Sequence, residues 1–300
     1  MLRTPIWRIG GKGQMVAKLA RLIPEDYDFY VEPFFGGGSL FFYLSPARVE
    51  TINDLDGVVM DFYRVVQDAG SFARFQALAE VTPYSREQWG RFRDEWEAEE
   101  DEVVRAWKWW TVCRQSFSGL FGVSWGSVYT ASSRGMAMNT SGWRSAIANL
   151  PLVHERLQRA QIESVDALTV IARYAVEGAF MYCDPPYVST TRVAGGYVHE
   201  MTDADHAALV ETLLGCPAQV MVSGYQHETY EALDGAGWWS VSFDVISYAA
   251  AKTRASGIQG EGSATEKCPR VETVWGNYPL GGSAKEWLEE NEFVYQEGAV

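Results

Sequence analysis

The stretch Phe180-Met181-Tyr182-Cys183-Asp184-Pro185-Pro186-Tyr187 decides how the chain is read. Residues 180–183 form an apolar run of strand type, and two prolines end it. Neither proline can donate a hydrogen bond to a neighbouring strand, so the backbone must leave the sheet there. An acid and an aromatic are thereby held at a strand's carboxyl end, where open α/β sheets bind ligands. A carboxylate, carbonyls fixed on a stiff turn and a flat ring suit a planar base bearing an amino group. The competing reading is a strand closed by a Pro-Pro turn whose aspartate merely caps it.

Upstream, Phe29-Tyr30-Val31-Glu32-Pro33-Phe34-Phe35-Gly36-Gly37-Gly38-Ser39-Leu40-Phe41-Phe42 reads as strand, glycine turn and helix, the first βα unit of a nucleotide-binding sheet. Its glycines depart from the dinucleotide G-x-G-x-x-G spacing, so a pyrophosphate is not the natural guest. Glu32, just before the turn, suits a ligand with a cationic end. Residues 49–52 make a second strand, and Asp54 at its end stands where ribose hydroxyls are bound in such sheets. A cap for the helical run 58–66 is the other role open to it. Asp166, after the strand-like 161–165, is either a contact for the ligand's adenine or an N-cap. Ile9-Gly10-Gly11-Lys12-Gly13 precedes a helix over 15–22. It lacks the further glycine and the Ser or Thr of a Walker A loop, and a plain turn is its alternative.

The texture changes between residues 71 and about 151. Helices are expected over 86–96 and 103–111, carrying Trp89, Trp96, Trp107, Trp109 and Trp110, mostly as core. Cys113-Arg114-Gln115-Ser116-Phe117-Ser118-Gly119 then leads into a Gly, Ser and Thr-rich loop reaching Trp143. Almost free of acid, this loop carries Arg114, Arg134 and Arg144 among Phe117, Phe121, Trp125 and Tyr129, a mixture suited to phosphates and unstacked bases. Packing on the tryptophans is the other reading. Further on, Arg192 lies on a loop beside the Asp184 stretch, and Thr202-Asp203-Ala204-Asp205 is a helix-capping signal. Strands follow over 219–223 and 273–279, separated by a long loop containing Lys252, Arg254, Lys267 and Arg270. The acidic tail is expected to be disordered or loosely packed.

Composition removes several classes. The 300 residues, 47% hydrophobic and 14% aromatic, suffice for an ordinary core. No apolar run approaches the roughly 20 residues of a membrane helix, and Met1-Leu2-Arg3-Thr4-Pro5 lacks the core of a signal peptide. A cytoplasmic setting is expected. Four cysteines (Cys113, Cys183, Cys216, Cys268) and four histidines show no ligand spacing, so reduced thiols and no metal are expected. The net charge of −14 argues against non-specific coating of nucleic acid, yet a DNA enzyme needs only its contact face positive. The acidic clusters over 97–102 and 286–297 should point away from phosphates.

The order of these pieces resembles the Dam-type DNA adenine methyltransferases (class D12), closest to their short phage-like members. Gly10-Gly11-Lys12 fits the family's G-G-K, and Glu32-Pro33-Phe34 with Gly36, Gly38 and Ser39 fits E-P-F-x-G-x-G-S. Asp54 fits the acid after strand two, and Asp184-Pro185-Pro186-Tyr187 fits the catalytic D-P-P-Y. Arg114 to Gly119 is similar to the DNA-contacting N-R-x-x-[FY]-N-G segment, with Ser118 at the place of an asparagine. Arg8 stands where the family has an aromatic, and Trp7 is its neighbour. The resemblance implies a Rossmann-like α/β fold with a seven-stranded mixed sheet, its catalytic domain over 1–70 and 151–300. A helical target-recognition insertion would occupy 71–150. It implies S-adenosylmethionine as cofactor, S-adenosylhomocysteine as product and double-stranded DNA as partner, acted on by a monomer without metal or membrane. By residue it implies catalysis by Asp184, Pro185 and Tyr187, and cofactor contacts from Arg8, Lys12, Glu32, Pro33, Phe34, Gly36, Gly38, Ser39, Asp54, Asp166 and Asp184. DNA contacts would come from Arg114, Phe117, Ser118, Arg134, Arg144 and Arg192.

The implied chemistry fits the residues. The adenine amino nitrogen is a poor nucleophile, and Asp184 with a Pro-Pro carbonyl can accept its two N–H bonds. Tyr187 would stack on a base flipped out of the duplex. An RNA adenine methyltransferase and a non-catalytic nucleotide-binding module are the rival readings. A cytosine C5 enzyme requires Pro-Cys, whereas Cys216 and Cys268 precede their prolines.

Overall fold

A computed structural model describes residues 2–8, 11–188, 199–246 and 269–298, with only the backbone described at 245, 246, 269 and 270. The chain divides into two compact units, one of Met1–Ala20 with Tyr27–Val170, the other of Arg21–Asp26 with Ile171–Val300. After α1 (Val16–Leu22), the first unit contains β1 (Phe29–Glu32), α2 (Ser39–Tyr43), β2 (Val49–Asn53), α3 (Gly57–Gln67) and α4 (Ala69–Val81). It continues with α5 (Arg86–Glu95), α6 (Glu102–Gln115), α7 (Met138–Leu157), β3 (Ala160–Glu163) and the start of α8 (Ala167–Tyr174). Its strands run in the order β3-β2-β1, all parallel, with Phe29 opposite Val49 and Glu50 opposite Ala160.

The helices of this unit follow from local chemistry. Asp56 accepts hydrogen bonds from the backbone N–H groups of Val58 and Val59, which starts α3. Val59, Met60, Phe62, Tyr63, Val65 and Val66 of that helix are then buried. The tryptophans expected as core are so at 89, 109 and 110, and the Trp110 ring lies 4.7 Å from that of Trp143. Trp96 and Trp107 are half-buried. The loop expected to follow Gly122 and reach Trp143 is corrected in part, because α7 begins at Met138 and continues through Pro151. Arg144 therefore stands on a helix. Trp143, Leu150 and Leu157 recur every seven residues on its buried face, and that burial outweighs the hydrogen bond Pro151 removes. Arg156, farther along α7, forms a buried ion pair with Glu50 of β2, and its guanidinium lies 3.7 Å from the Phe41 ring centroid.

The second unit contains β4 (Ala179–Cys183), α9 (Asp203–Leu214), β5 (Gln219–Tyr225), α10 (Glu231–Gly235), β6 (Trp239–Ile246), β7 (Pro269–Gly276), α11 (Gly282–Glu290) and β8 (Tyr295–Gln296). Their order is β4-β5-β7-β6-β8, with β4 parallel to β5 and every later pairing antiparallel. All five residues of β4 are buried, as the apolar run requires. Thr202 and Asp205 form the expected capping box on α9. Eight strands stand among the described residues, rather than the seven expected. The additional one belongs to the acidic tail, which is folded into α11 and β8. Trp287 and Phe293 pack against Phe243 and hold that tail down despite its charge. Strand β6 carries its sequence signal in the alternation Trp239-Ser240-Val241-Ser242-Phe243.

Candidate active site

The first unit gathers its candidate residues at the carboxyl ends of β1 and β2, and Asn53 is the reason. Wholly buried, it donates from Nδ2 to the carbonyls of Pro33 (2.9 Å) and Val165 (3.0 Å). Its Oδ1 accepts from Val165 N–H at 2.9 Å, and its own carbonyl accepts from Phe35 N–H at 2.8 Å. One side chain thus ties the exits of β1, β2 and β3. Beyond it, Gly38 N–H reaches back to the Phe35 carbonyl at 2.6 Å and closes a tight turn. Gly36 and Gly38 take φ of 46° and 60°, and a Cβ on Gly38 would lie 2.3 Å from the Phe35 ring. Only glycine fits there.

Asp54 braces this turn. Its Oδ2 accepts from Gly36 N–H at 2.7 Å and its Oδ1 from Asp56 N–H at 2.8 Å. The capping role open to Asp54 belongs instead to Asp56, which also pairs with Arg8 at 2.8 Å. Burial raises the Asp54 pKa, and the two backbone N–H groups work against it. Glu32, buried at the end of β1, accepts from Phe41 N–H at 2.9 Å and from the Tyr30 hydroxyl. Pro33 is buried beside it, and Phe34 and Ser39 are half-buried. Lys12 is buried, and its carbonyl receives the N–H groups of Met15 and Val16 that open α1. Gly10 lies outside the described residues. Asp166 is exposed and caps α8, accepting from Leu168 N–H at 3.0 Å and Thr169 N–H at 3.3 Å.

The end of α6 folds back on the amino-terminal strap. Trp110 Nε1 donates to the Pro5 carbonyl at 2.9 Å, and the Cys113 thiol to the Trp7 carbonyl at 3.2 Å. The Arg114 guanidinium stands 5.8 Å from the centroid of the Trp7 ring, which is half exposed. Burial lowers the Arg114 pKa, and its Nε has no hydrogen-bond partner among the described residues. Ser118 adopts φ 57°, ψ 23°, a left-handed conformation that asparagine takes more readily than serine. Phe117 and Tyr129 are exposed, Arg134 donates to Ser145 Oγ at 2.9 Å, and Arg144 is exposed on α7. The acidic cluster occupies the other end of α6. Asp101 caps that helix and pairs with Arg74, and Glu99 binds Lys108. Thirteen helical steps put it roughly 20 Å from Arg114.

In the second unit Asp184 follows β4 directly, as the two prolines dictate. Ser223 Oγ of β5 donates to Asp184 Oδ1 at 2.8 Å and lies 3.0 Å from the Tyr182 hydroxyl. Pro185 is buried. Tyr187 is buried as well, its ring edge-on to Tyr225 at 4.4 Å and its hydroxyl donating to Glu272 Oε1 at 2.8 Å. Burial, with Cys183 and Asp184 nearby, pushes the Tyr230 hydroxyl above its ordinary range. Its ring stacks on Trp275 at 5.2 Å. Arg192, Lys252, Arg254 and Lys267 lie outside the described residues, as does the side chain of Arg270. Among the described residues no cluster of His, Cys, Asp or Glu could hold a metal ion, and no helix is long and apolar enough to cross a membrane. Asn53, Ser223 and Glu272 stand in no motif that marks them in the sequence.

The Type II methyltransferase M1.LlaDCHI of Lactococcus lactis subsp. cremoris is 28% identical over 205 residues, covering 64% of this chain and 68% of that protein. The family model described as D12 class N6 adenine-specific DNA methyltransferase matches residues 9–245. That span takes in both the glycine turn and the Asp184 stretch, and the chain belongs to the D12 class of N6 adenine-specific DNA methyltransferases.

Proposed function

We propose that the chain methylates the N6 amino group of a flipped-out adenine in double-stranded DNA, using S-adenosylmethionine. The observation that carries this reading is the anchored carboxylate of Asp184 at the end of β4, within a chain of this family. The donor set of the first unit suits the cofactor. Two acids, Glu32 buried and Asp54 half-buried, flank a left-handed glycine turn, and among the described residues no atom lies within 4 Å on the Cβ side of Gly36. Glu32 suits an ammonium group and Asp54 ribose hydroxyls, with Lys12, Pro33, Phe34, Gly38, Ser39, Arg8 and Asp166 around them. When bound, S-adenosylmethionine supplies the methyl as a sulfonium electrophile and leaves as S-adenosylhomocysteine.

Asp184 acts as an acceptor and not as a nucleophile. It takes one N–H of the adenine amino group while a main-chain carbonyl of the Pro185-Pro186 turn takes the other. Both bonds draw the nitrogen towards tetrahedral geometry and free its lone pair from the ring. Positioning and electrostatics then do most of the remaining work. Tyr187 provides a face for the flipped base, and Arg114, Phe117, Ser118, Arg134 and Arg144, from a recognition region over 71–150, contact the duplex together with Arg192. The relative's designation supports a methyltransferase that marks the sites of a restriction system.

The test is a methylation assay on duplex DNA, with methylated adenines located by sequencing. Asp184→Asn keeps the shape, loses the charge and can present a donor to the amino group. It should reduce turnover by orders of magnitude in a folded protein. Near-normal turnover would remove the assignment.

A further inference from the structure

We propose that Ser223, backed by Tyr182, is the positioning residue that sets the Asp184 carboxylate for methyl transfer. The inference rests on the reading of Asp184 as acceptor for the adenine amino group. Cys183 of β4 lies opposite Val222 of β5, so Ser223 stands one step on, level with Asp184. Ser223 is wholly buried and Tyr182 nearly so. A serine hydroxyl has one proton, and Ser223 donates it to Asp184 Oδ1. Toward Tyr182 it can therefore only accept, which orders the relay as Tyr182 to Ser223 to Asp184.

Packing gives no reason for a hydroxyl here. Alanine would fill a strand interior nearly as well, and a buried hydroxyl is unfavourable unless it is bonded. A bond to a carboxylate is among the stronger ones, and a donor behind it polarises it further. Rotation about the last torsion of aspartate is loose, and the bond from Ser223 opposes rotation of the carboxylate away from the geometry that the amino group requires. Displacement on the ångström scale at a reacting centre can slow a reaction by about a hundredfold.

The experiment is single-turnover methylation of a duplex substrate by the wild type, Ser223→Ala, Ser223→Cys, Tyr182→Phe and the double variant Tyr182→Phe/Ser223→Ala. Dissociation constants for S-adenosylmethionine and DNA are measured alongside. Ser223→Ala should slow transfer about tenfold to a hundredfold, with both dissociation constants within about twofold of wild type. Ser223→Cys retains a weak donor and should fall between. Tyr182→Phe should slow transfer in the wild-type background and add nothing once Ser223 is alanine, because it acts through that hydroxyl. Wild-type transfer by Ser223→Ala, or an undiminished effect of Tyr182→Phe in its absence, overturns the proposal. Should Ser223→Ala fail to fold, Ser223→Cys takes its place in each comparison, Tyr182→Phe then being expected to lose most of its effect. Asp184→Asn separates the two levels. If it turns over normally, the reading of Asp184 falls. If it is inactive while Ser223→Ala runs at wild-type rate, only the role of Ser223 falls.

Discussion

Asp54 is held between two opposed influences. Burial disfavours its charge, while the N–H groups of Gly36 and Asp56 favour it, and burial is the larger. Its folded-state pKa is therefore raised, so the stabilising effect of its proton is complete below the unfolded value of about 3.9 and is lost as pH rises through the folded one. The stability of Asp54→Asn relative to wild type should thus shift in the variant's favour as pH rises from about 4, whatever its constant offset. Denaturant melts along that rise measure the slope. Calorimetry with S-adenosylmethionine tests the ribose role, and unchanged affinity in folded Asp54→Ala removes it. At Tyr187 the ring and the hydroxyl separate cleanly. Tyr187→Phe keeps the ring and loses the bond to Glu272, whereas Tyr187→Ala should also lose about 1–3 kcal/mol of the proposed base stacking. A mismatched target base should recover part of the Tyr187→Ala defect and none of that in Asp184→Asn, since it lowers only the unpairing energy. Asp184 was legible because two adjacent prolines fix its surroundings locally. Asn53, Ser223 and Glu272 were not, because each takes its meaning from partners between 20 and 112 residues away.

Among the elements, α6 separates two chemistries along one axis. Asp101 and its neighbours satisfy the amino-terminal end and Lys108, and Arg114 leaves the carboxyl-terminal end beside Trp7. Arg114→Ala should weaken DNA binding and leave cofactor affinity intact, which fluorescence anisotropy and calorimetry measure in turn. Ser118→Gly should raise stability by about 1 kcal/mol, because glycine carries no penalty for a left-handed turn. If Ser118 also touches DNA, affinity falls while the melting temperature rises. Arg156→Ala should destabilise by about 3–5 kcal/mol, since Glu50 would keep a buried charge without its partner. The capping box of α9 could be read four residues at a time. The course of α7 through Pro151 could not, because tertiary burial of Trp143, Leu150 and Leu157 overrides the local proline signal.

On the scale of the whole chain, 39 acidic and 25 basic residues give a net charge of −14. DNA affinity must then come from a few local cations. If Arg114, Arg134 and Arg144 each meet a phosphate, the logarithm of affinity should fall with the logarithm of salt at a slope of about −3. A slope near zero would take these arginines off the phosphate backbone. The family match ends at 245, yet β7 lies beyond it, between β5 and β6, and supplies Glu272 to Tyr187. That insertion has a consequence in the order of synthesis. Strand β5 ends at Tyr225 and β7 at Gly276, about fifty residues later. At about 5–20 residues per second, a nascent chain keeps one edge of β5 open for several seconds before its permanent neighbour exists. Slower translation between those points lengthens the interval in which another strand can pair there.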